Sequence, residues 1–107
     1  MAREFTTFAY IYLGSGKEDP HRDRVTIEAG GLRATMVGVP KESDAILAAT
    51  DLTKDGAQAI DLCAAFSSAT MAAIIEAVGP TVAVGRTTYG LEAVSTLARY
   101  QDPETGE

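Results

Sequence analysis

Short apolar runs, each ended by glycine or proline, alternate with helix-like runs along nearly the whole chain, and this limits the sequence to a parallel α/β fold. The first run is Phe8-Ala9-Tyr10-Ile11-Tyr12-Leu13, stopped by Gly14-Ser15-Gly16. Period two places Phe8, Tyr10 and Tyr12 on one face and Ala9, Ile11 and Leu13 on the other. Both faces are apolar, which predicts a central strand covered on both sides. Further strands are expected over Ala34–Val39, ending at Pro40, over Ala57–Cys63, and over Thr81–Gly85 running on through Arg86 and Thr87.

The helices carry their own punctuation. Ser43 reads as the N-cap of a helix from Asp44 to about Lys54, with Gly56 just past its end. Ala45, Ala48, Ala49 and Leu52 recur at i, i+3, i+4 and i+7 and form its buried stripe. A second helix starts at Ser67 or Ser68, buries Met71, Ile74, Ile75 and Val78, and stops at Gly79-Pro80. A third runs from Leu91 to about Tyr100 and buries Leu91, Val94, Leu97 and Ala98.

Residues 17–33 read two ways. Asp19-Pro20 resembles an N-cap with proline at the first helical position, giving a short helix that ends at Gly30. Yet Arg24-Val25-Thr26-Ile27 alternates, and Gly30-Gly31 suits a two-residue hairpin turn. The helix is the reading adopted, because β-branched residues are only mildly unfavourable in helices. The expectation is a single three-layer α/β/α domain over residues 1–101. Its four-stranded, mainly parallel sheet takes the flavodoxin-like order 2-1-3-4, with right-handed crossovers. Residues 102–107 form a flexible acidic tail.

Bulk properties exclude several classes of partner. The chain of 107 residues carries 9 Lys and Arg against 15 Asp and Glu, a net charge of −6. That balance argues against nucleic acid and against anionic membrane surfaces. A single cysteine, Cys63, permits no disulfide within the chain and fits a reducing, cytoplasmic setting. No signal-peptide core and no apolar run of membrane-spanning length is present.

Familiar site motifs fail on inspection. Gly14-Ser15-Gly16-Lys17 follows a strand, but a P-loop ending at Gly16-Lys17 would have Ile11 as its first glycine and Glu18 as its magnesium-binding hydroxyl. The dinucleotide fingerprint fails as well, because Asp19 stands for its third glycine. His21 and Cys63 lack metal-ligand spacing, and no G-x-S-x-G elbow accompanies the only histidine. No metal or cofactor is expected.

The C-terminal edge of the sheet is the remaining candidate, because ligands of open α/β sheets bind there. Asp61-Leu62-Cys63-Ala64-Ala65-Phe66-Ser67-Ser68 passes from a strand end into a helix start. Free N–H groups and the positive dipole end at Ser67 and Ser68 suit an anion. The next strand delivers Arg86, Thr87, Thr88 and Tyr89 to the same edge. Ser67 and Ser68 are equally what any helix start looks like. Asp61, sharing a strand face with Ala59 and Cys63, needs a partner if buried, and Arg86 is one candidate.

Ala57-Gln58-Ala59-Ile60-Asp61-Leu62-Cys63-Ala64-Ala65-Phe66, together with Val37-Gly38-Val39-Pro40 and Val84-Gly85-Arg86, resembles a family of small uncharacterised prokaryotic α/β proteins of about this length, a domain of unknown function. The resemblance spans the first strand through the fourth and implies the fold, with no activity to carry over.

Three functional readings follow. The first, ranked ahead of the other two, is a binding module in which Ser67, Ser68, Arg86, Thr87 and Thr88 hold a small anionic metabolite at the C-terminal edge of the sheet. The second is an enzyme of racemase, isomerase or lyase type with Cys63 as nucleophile or acid/base, assisted by Asp61 or Tyr89; a helix N-terminus lowers a thiol's pKa. The third is a self-associating structural domain, a homo-oligomer using sheet edges or flat alanine-rich helix faces, with Ile46 and Leu47 lying off the main stripe of their helix.

Overall fold

A computed structural model describes residues 3–100. The acidic segment at 102–107 lies outside the described residues. The chain runs through β1 (Thr7–Leu13), β2 (Arg24–Ala29), β3 (Leu32–Val39), α1 (Glu42–Lys54), β4 (Ala59–Leu62), α2 (Ser68–Val78), β5 (Ala83–Arg86) and α3 (Leu91–Leu97). The fold is α/β, with one mixed sheet of five strands in the order β2-β3-β1-β4-β5. It replaces the expected four strands in order 2-1-3-4. The added strand, β2, pairs antiparallel with β3 at one edge, while the other neighbours are parallel.

The difference arises in residues 17–33, which form a hairpin rather than a helix. Asp19-Pro20 does open a turn, in which Arg22 and Asp23 donate their N–H groups to the Asp19 carbonyl. It ends after that one turn. Arg24–Ala29 then lies against Leu32–Val39, joined by Gly30 and Gly31 at φ +59° and +81°. Two consecutive positive φ values define the tight turn whose twist matches a β-hairpin, and glycine reaches them without strain. The Thr26 and Thr35 hydroxyls sit 2.9 Å apart across the pair.

The hairpin also changes the layering. The crossover β3-α1-β4 and the crossover β4-α2-β5 move across the sheet in one direction, so right-handed connections place both helices on one face. A helix between β1 and β3 would move the other way and cover the opposite face. With a strand in its place, that face has no helix, so the expected third layer is missing among the described residues. The core accordingly lies on one side. It joins Ala9 and Ile11 of β1, Val37 and Val39 of β3, and Ile60 and Leu62 of β4 to the helices. From α1 come Ala45, Ala48, Ala49 and Leu52, the expected stripe, and from α2 come Ile74 and Val78. Small alanines let α1 lie close on β1 and β3.

Three helix expectations need correction. Helix α1 begins at Glu42 with Lys41 as N-cap and no capping side chain, so Ser43 is not its cap. Ile75 is exposed and Met71 is only partly buried, because α2 turns a narrow stripe inward. Helix α3 ends at Leu97 and buries no residue.

Candidate functional site at the C-terminal edge of the sheet

The parallel strands β1, β3, β4 and β5 all end at one edge, and the loops after them assemble there. Thr87 N–H bonds to the Leu62 carbonyl (2.8 Å) and Gly14 N–H to that of Val39 (2.9 Å), tying the loop after β5 to β4 and the loop after β1 to β3. Helix α2 starts at this edge. Ser67 is its N-cap, its Oγ accepting from Thr70 N–H at 3.1 Å. The capping reading of Ser67 is therefore satisfied within the chain.

The anion cradle at this helix start holds a carboxylate that sequence reasoning missed. Glu42, in the first turn of α1, presents Oε1 to Ser67 N–H (2.8 Å) and to the Thr70 hydroxyl (2.9 Å). These donors hold its pKa below the usual glutamate range, with the Ser67 N–H the largest cause. The available signal was a glutamate immediately ahead of the Ser43 that reads as a cap, but its partner lies 25 residues away.

A second nest is filled in the same manner. The Gly14-Ser15-Gly16-Lys17 loop turns the N–H groups of Ser15 (2.9 Å), Gly16 (3.1 Å) and Lys17 (3.1 Å) onto the Glu18 carboxylate. Its pKa is lowered, chiefly by Ser15 N–H. The phosphate-loop look of this segment thus reflects a loop that caps its own acid.

Arg86 comes to this edge but points at the protein. Its Nη1 donates to the Phe66 carbonyl (3.0 Å) and to Ser68 Oγ (3.2 Å), bracing the loop ahead of α2. It lies in line with Val84 on the helix-covered face, whereas Asp61 alternates to the opposite face beside Tyr10 and Gly85. The Arg86–Asp61 pair considered from sequence is not formed. Thr87, Thr88 and Tyr89 follow in the exposed connection to α3.

Cys63 is half-buried just beyond β4, and Leu13 N–H donates to its Sγ at 3.3 Å. Among the described residues no hydrogen bond joins Cys63, Asp61 and Tyr89. Asp61 is exposed on the bare sheet face, and Tyr89 lies in the loop before α3. No group of three or more His, Cys, Asp and Glu placed to hold a metal occurs among the described residues. Nor is any described helix long and apolar enough to cross a membrane.

The bare face is the larger unexplained surface. Val25 and Ile27 of β2, Ala34 and Met36 of β3, and Phe8, Tyr10 and Tyr12 of β1 share it, followed by Ala59, Asp61, Ala83 and Gly85. Ile27 is 65% exposed, Val25 56% and Met36 45%. Tyr12 lays its ring over Gly38, where a Cβ would collide with it. A shallow groove of about 320 Å³ runs along this corner, lined by Tyr12, Arg22, Asp23, Arg24, Val25 and Met36.

The fold and these surfaces define a small mixed-sheet α/β domain with helices on one face and an open apolar face opposite. The chain belongs to the DUF6506 family, a family of unknown function, which matches residues 6–102. No curated protein and no solved structure matches it.

Proposed function

We propose that the protein is a self-associating α/β module whose open sheet face is its interface with further copies. One observation carries this reading: a continuous, largely apolar face spanning all five strands has no covering layer among the described residues. Monomeric soluble proteins rarely leave a contiguous apolar surface of that extent in water. Leu47, 69% exposed on the outer side of α1, is an isolated apolar residue by comparison. The single half-buried cysteine is in keeping with a reducing compartment such as the cytoplasm.

Light scattering at micromolar concentration tests the proposal. The wild-type mass should be a multiple of the 11.2 kDa chain. Ile27→Glu and Met36→Glu, which place charges on the face without touching the core, should return it to the monomer. A monomeric wild type at tens of micromolar removes the proposal.

Binding of a small anionic metabolite at the C-terminal edge is the second reading, favoured by one observation: the start of α2 already holds a carboxylate, that of Glu42. A ligand there would have to displace Glu42, and Arg86 would have to leave Phe66 and Ser68 to reach it. Ser67, Ser68, Thr87 and Thr88 are all exposed, but the hydroxyls of Ser67 and Ser68 are already engaged with Thr70 and Arg86. The cysteine-based reading rests on the N–H of Leu13 directed at Cys63 Sγ, without an acid or base bonded to the thiol. Self-association needs no such rearrangement.

A further inference from the structure

The outer edge of β2 is a further surface without a partner. Among the described residues β2 is bonded to β3 on one side and to no strand on the other, and every residue after Arg24 is exposed. Edge strands are commonly blunted by proline, a bulge or very short length. β2 instead pairs with β3 residue for residue over six positions, without proline or bulge. Gly38 N–H donates to the Asp23 carbonyl, and antiparallel alternation then turns the backbone N–H and C=O groups of Arg24, Thr26 and Glu28 outward, away from β3. Side chains alternate as well. Arg24, Thr26 and Glu28 share the helix side with Val37, Thr35 and Arg33, while Val25 and Ile27 share the open face with Met36 and Ala34.

We infer that β2 pairs antiparallel with β2 of a second copy across a two-fold axis at Thr26, joining two five-stranded sheets into one. The inference rests on the self-association reading and adds the strand and register that build it. Charge complementarity favours this register. Centred on Thr26, Arg24 of each copy faces Glu28 of the other, and Val25 faces Ile27. Opposite charges and apolar pairs directly across a strand pair stabilise it, and like charges destabilise it. The outward-turned backbone groups agree, because Thr26 meets its own counterpart and Arg24 meets Glu28 as hydrogen-bonded pairs. Registers that set Arg24 on Arg24 or Glu28 on Glu28 oppose like charges. Glu28 already meets Arg33 at 3.2 Å, so Arg24 of the other copy completes an alternating Arg-Glu-Arg row. Area favours the pairing too. Five strands about 4.8 Å apart and about 20 Å long give an open face of roughly 500 Å² in plan. A stable interface buries about 800 Å² per partner. Joining the edges doubles the face to about 1,000 Å². It also brings the most exposed apolar side chains of the face, Ile27, Val25 and Met36, to the middle, and leaves Asp61 on β4 toward the wet rim. A six-residue strand pair and a single open face are each too small alone; two joined sheets stacked face to face close as a four-chain assembly with two isologous contacts.

Charge exchange between two variants tests the register. Arg24→Glu and Glu28→Arg each set like charges opposite one another on pairing. Each should therefore scatter light as the 11.2 kDa monomer, where the wild type is expected at four times that mass. Mixed in equal amounts they should regain the wild-type mass, because every introduced charge then faces its opposite. Both positions lie on the helix side of the sheet, so stacking of open faces alone predicts the wild-type mass for each variant. That result would overturn the strand pair and keep self-association. Variants that are monomeric alone and stay monomeric when mixed would overturn it as well. Thr26→Cys in a Cys63→Ser background gives a readout independent of charge. It sets two thiols across the axis on Cα atoms about 5.5 Å apart, within disulfide range. Mild oxidation should yield a covalent dimer from this one variant, well above the yield from Leu47→Cys on the outer side of α1 in the same background. An assembled protein whose Thr26→Cys chains do not cross-link would overturn the pairing. A wild type that is monomeric at tens of micromolar removes both the pairing and the reading beneath it.

Discussion

Glu42 links the first turn of α1 to the first turn of α2, and its chemistry is set by two donors. The Ser67 N–H and the Thr70 hydroxyl favour the charged carboxylate, so the folded-state pKa lies below that of the unfolded chain. The contribution to stability is therefore fully present above about pH 4.3, the ordinary glutamate value, and fades as pH falls through the depressed folded value. Replacing Glu42 with Gln keeps an acceptor oxygen but removes the titration. Acid-unfolding curves should show wild type losing stability more steeply than Glu42→Gln below that pH; parallel curves would mean that the two donors do not distinguish the protonation states. The carboxylate is near the surface, so solvent screening keeps the effect modest.

At the scale of elements, the β2–β3 hairpin and α3 decide most of what distinguishes this domain. The turn depends on Gly30 and Gly31, both at positive φ and with open space where a Cβ would project. A substitution there costs conformational energy and nothing in packing. Gly30→Ala and Gly31→Ala should each destabilise by about 1 kcal/mol, the usual cost of placing an L-residue in the left-handed region. At this chain length that lowers the thermal midpoint by about 5 °C. Denaturant unfolding measures it, and an unchanged midpoint in both variants would show that the hairpin does not rely on this turn. Helix α1 behaves differently. Its alanine stripe is buried by neighbours on the sheet, and its identity is secured by tertiary packing more than by its uncapped start.

At the scale of the whole molecule, the domain has one core where a doubly covered sheet has two. Among the described residues the largest fully buried side chains, Phe66, Ile11, Ile60, Leu62, Ile74, Val37 and Val39, belong to the helix-covered side. Under the proposed self-association the second side is completed by a further copy, which would couple folding stability to protein concentration. The thermal midpoint of the wild type should rise with concentration over the micromolar range, while that of Ile27→Glu should not. Calorimetry at two concentrations separates the cases, and a concentration-independent wild type would show that the open face contributes nothing to stability.

What the sequence determined by itself is local. The apolar runs marked β1, β3, β4 and β5, the Ala45-Ala48-Ala49-Leu52 stripe, the Ser67 cap and the Gly79 stop were legible, because each is decided within one turn or one strand length. The family resemblance was legible for the same reason, and the match over residues 6–102 bears it out. The tertiary structure alone decided three further matters. Residues 24–29 became a strand because β3 offered an edge to pair with, and a local helix signal of one turn could not compete with six paired residues. The donors at Ser67 were claimed by Glu42 across 25 residues, a pairing that no local pattern encodes. One sheet face stayed bare because the side a helix covers depends on the direction its crossover takes, which exists only once the strand order is formed. An apolar strand such as Phe8–Leu13 shows that both its faces want burial; whether a helix of the same chain or a second copy supplies the cover is settled by packing, not by the strand.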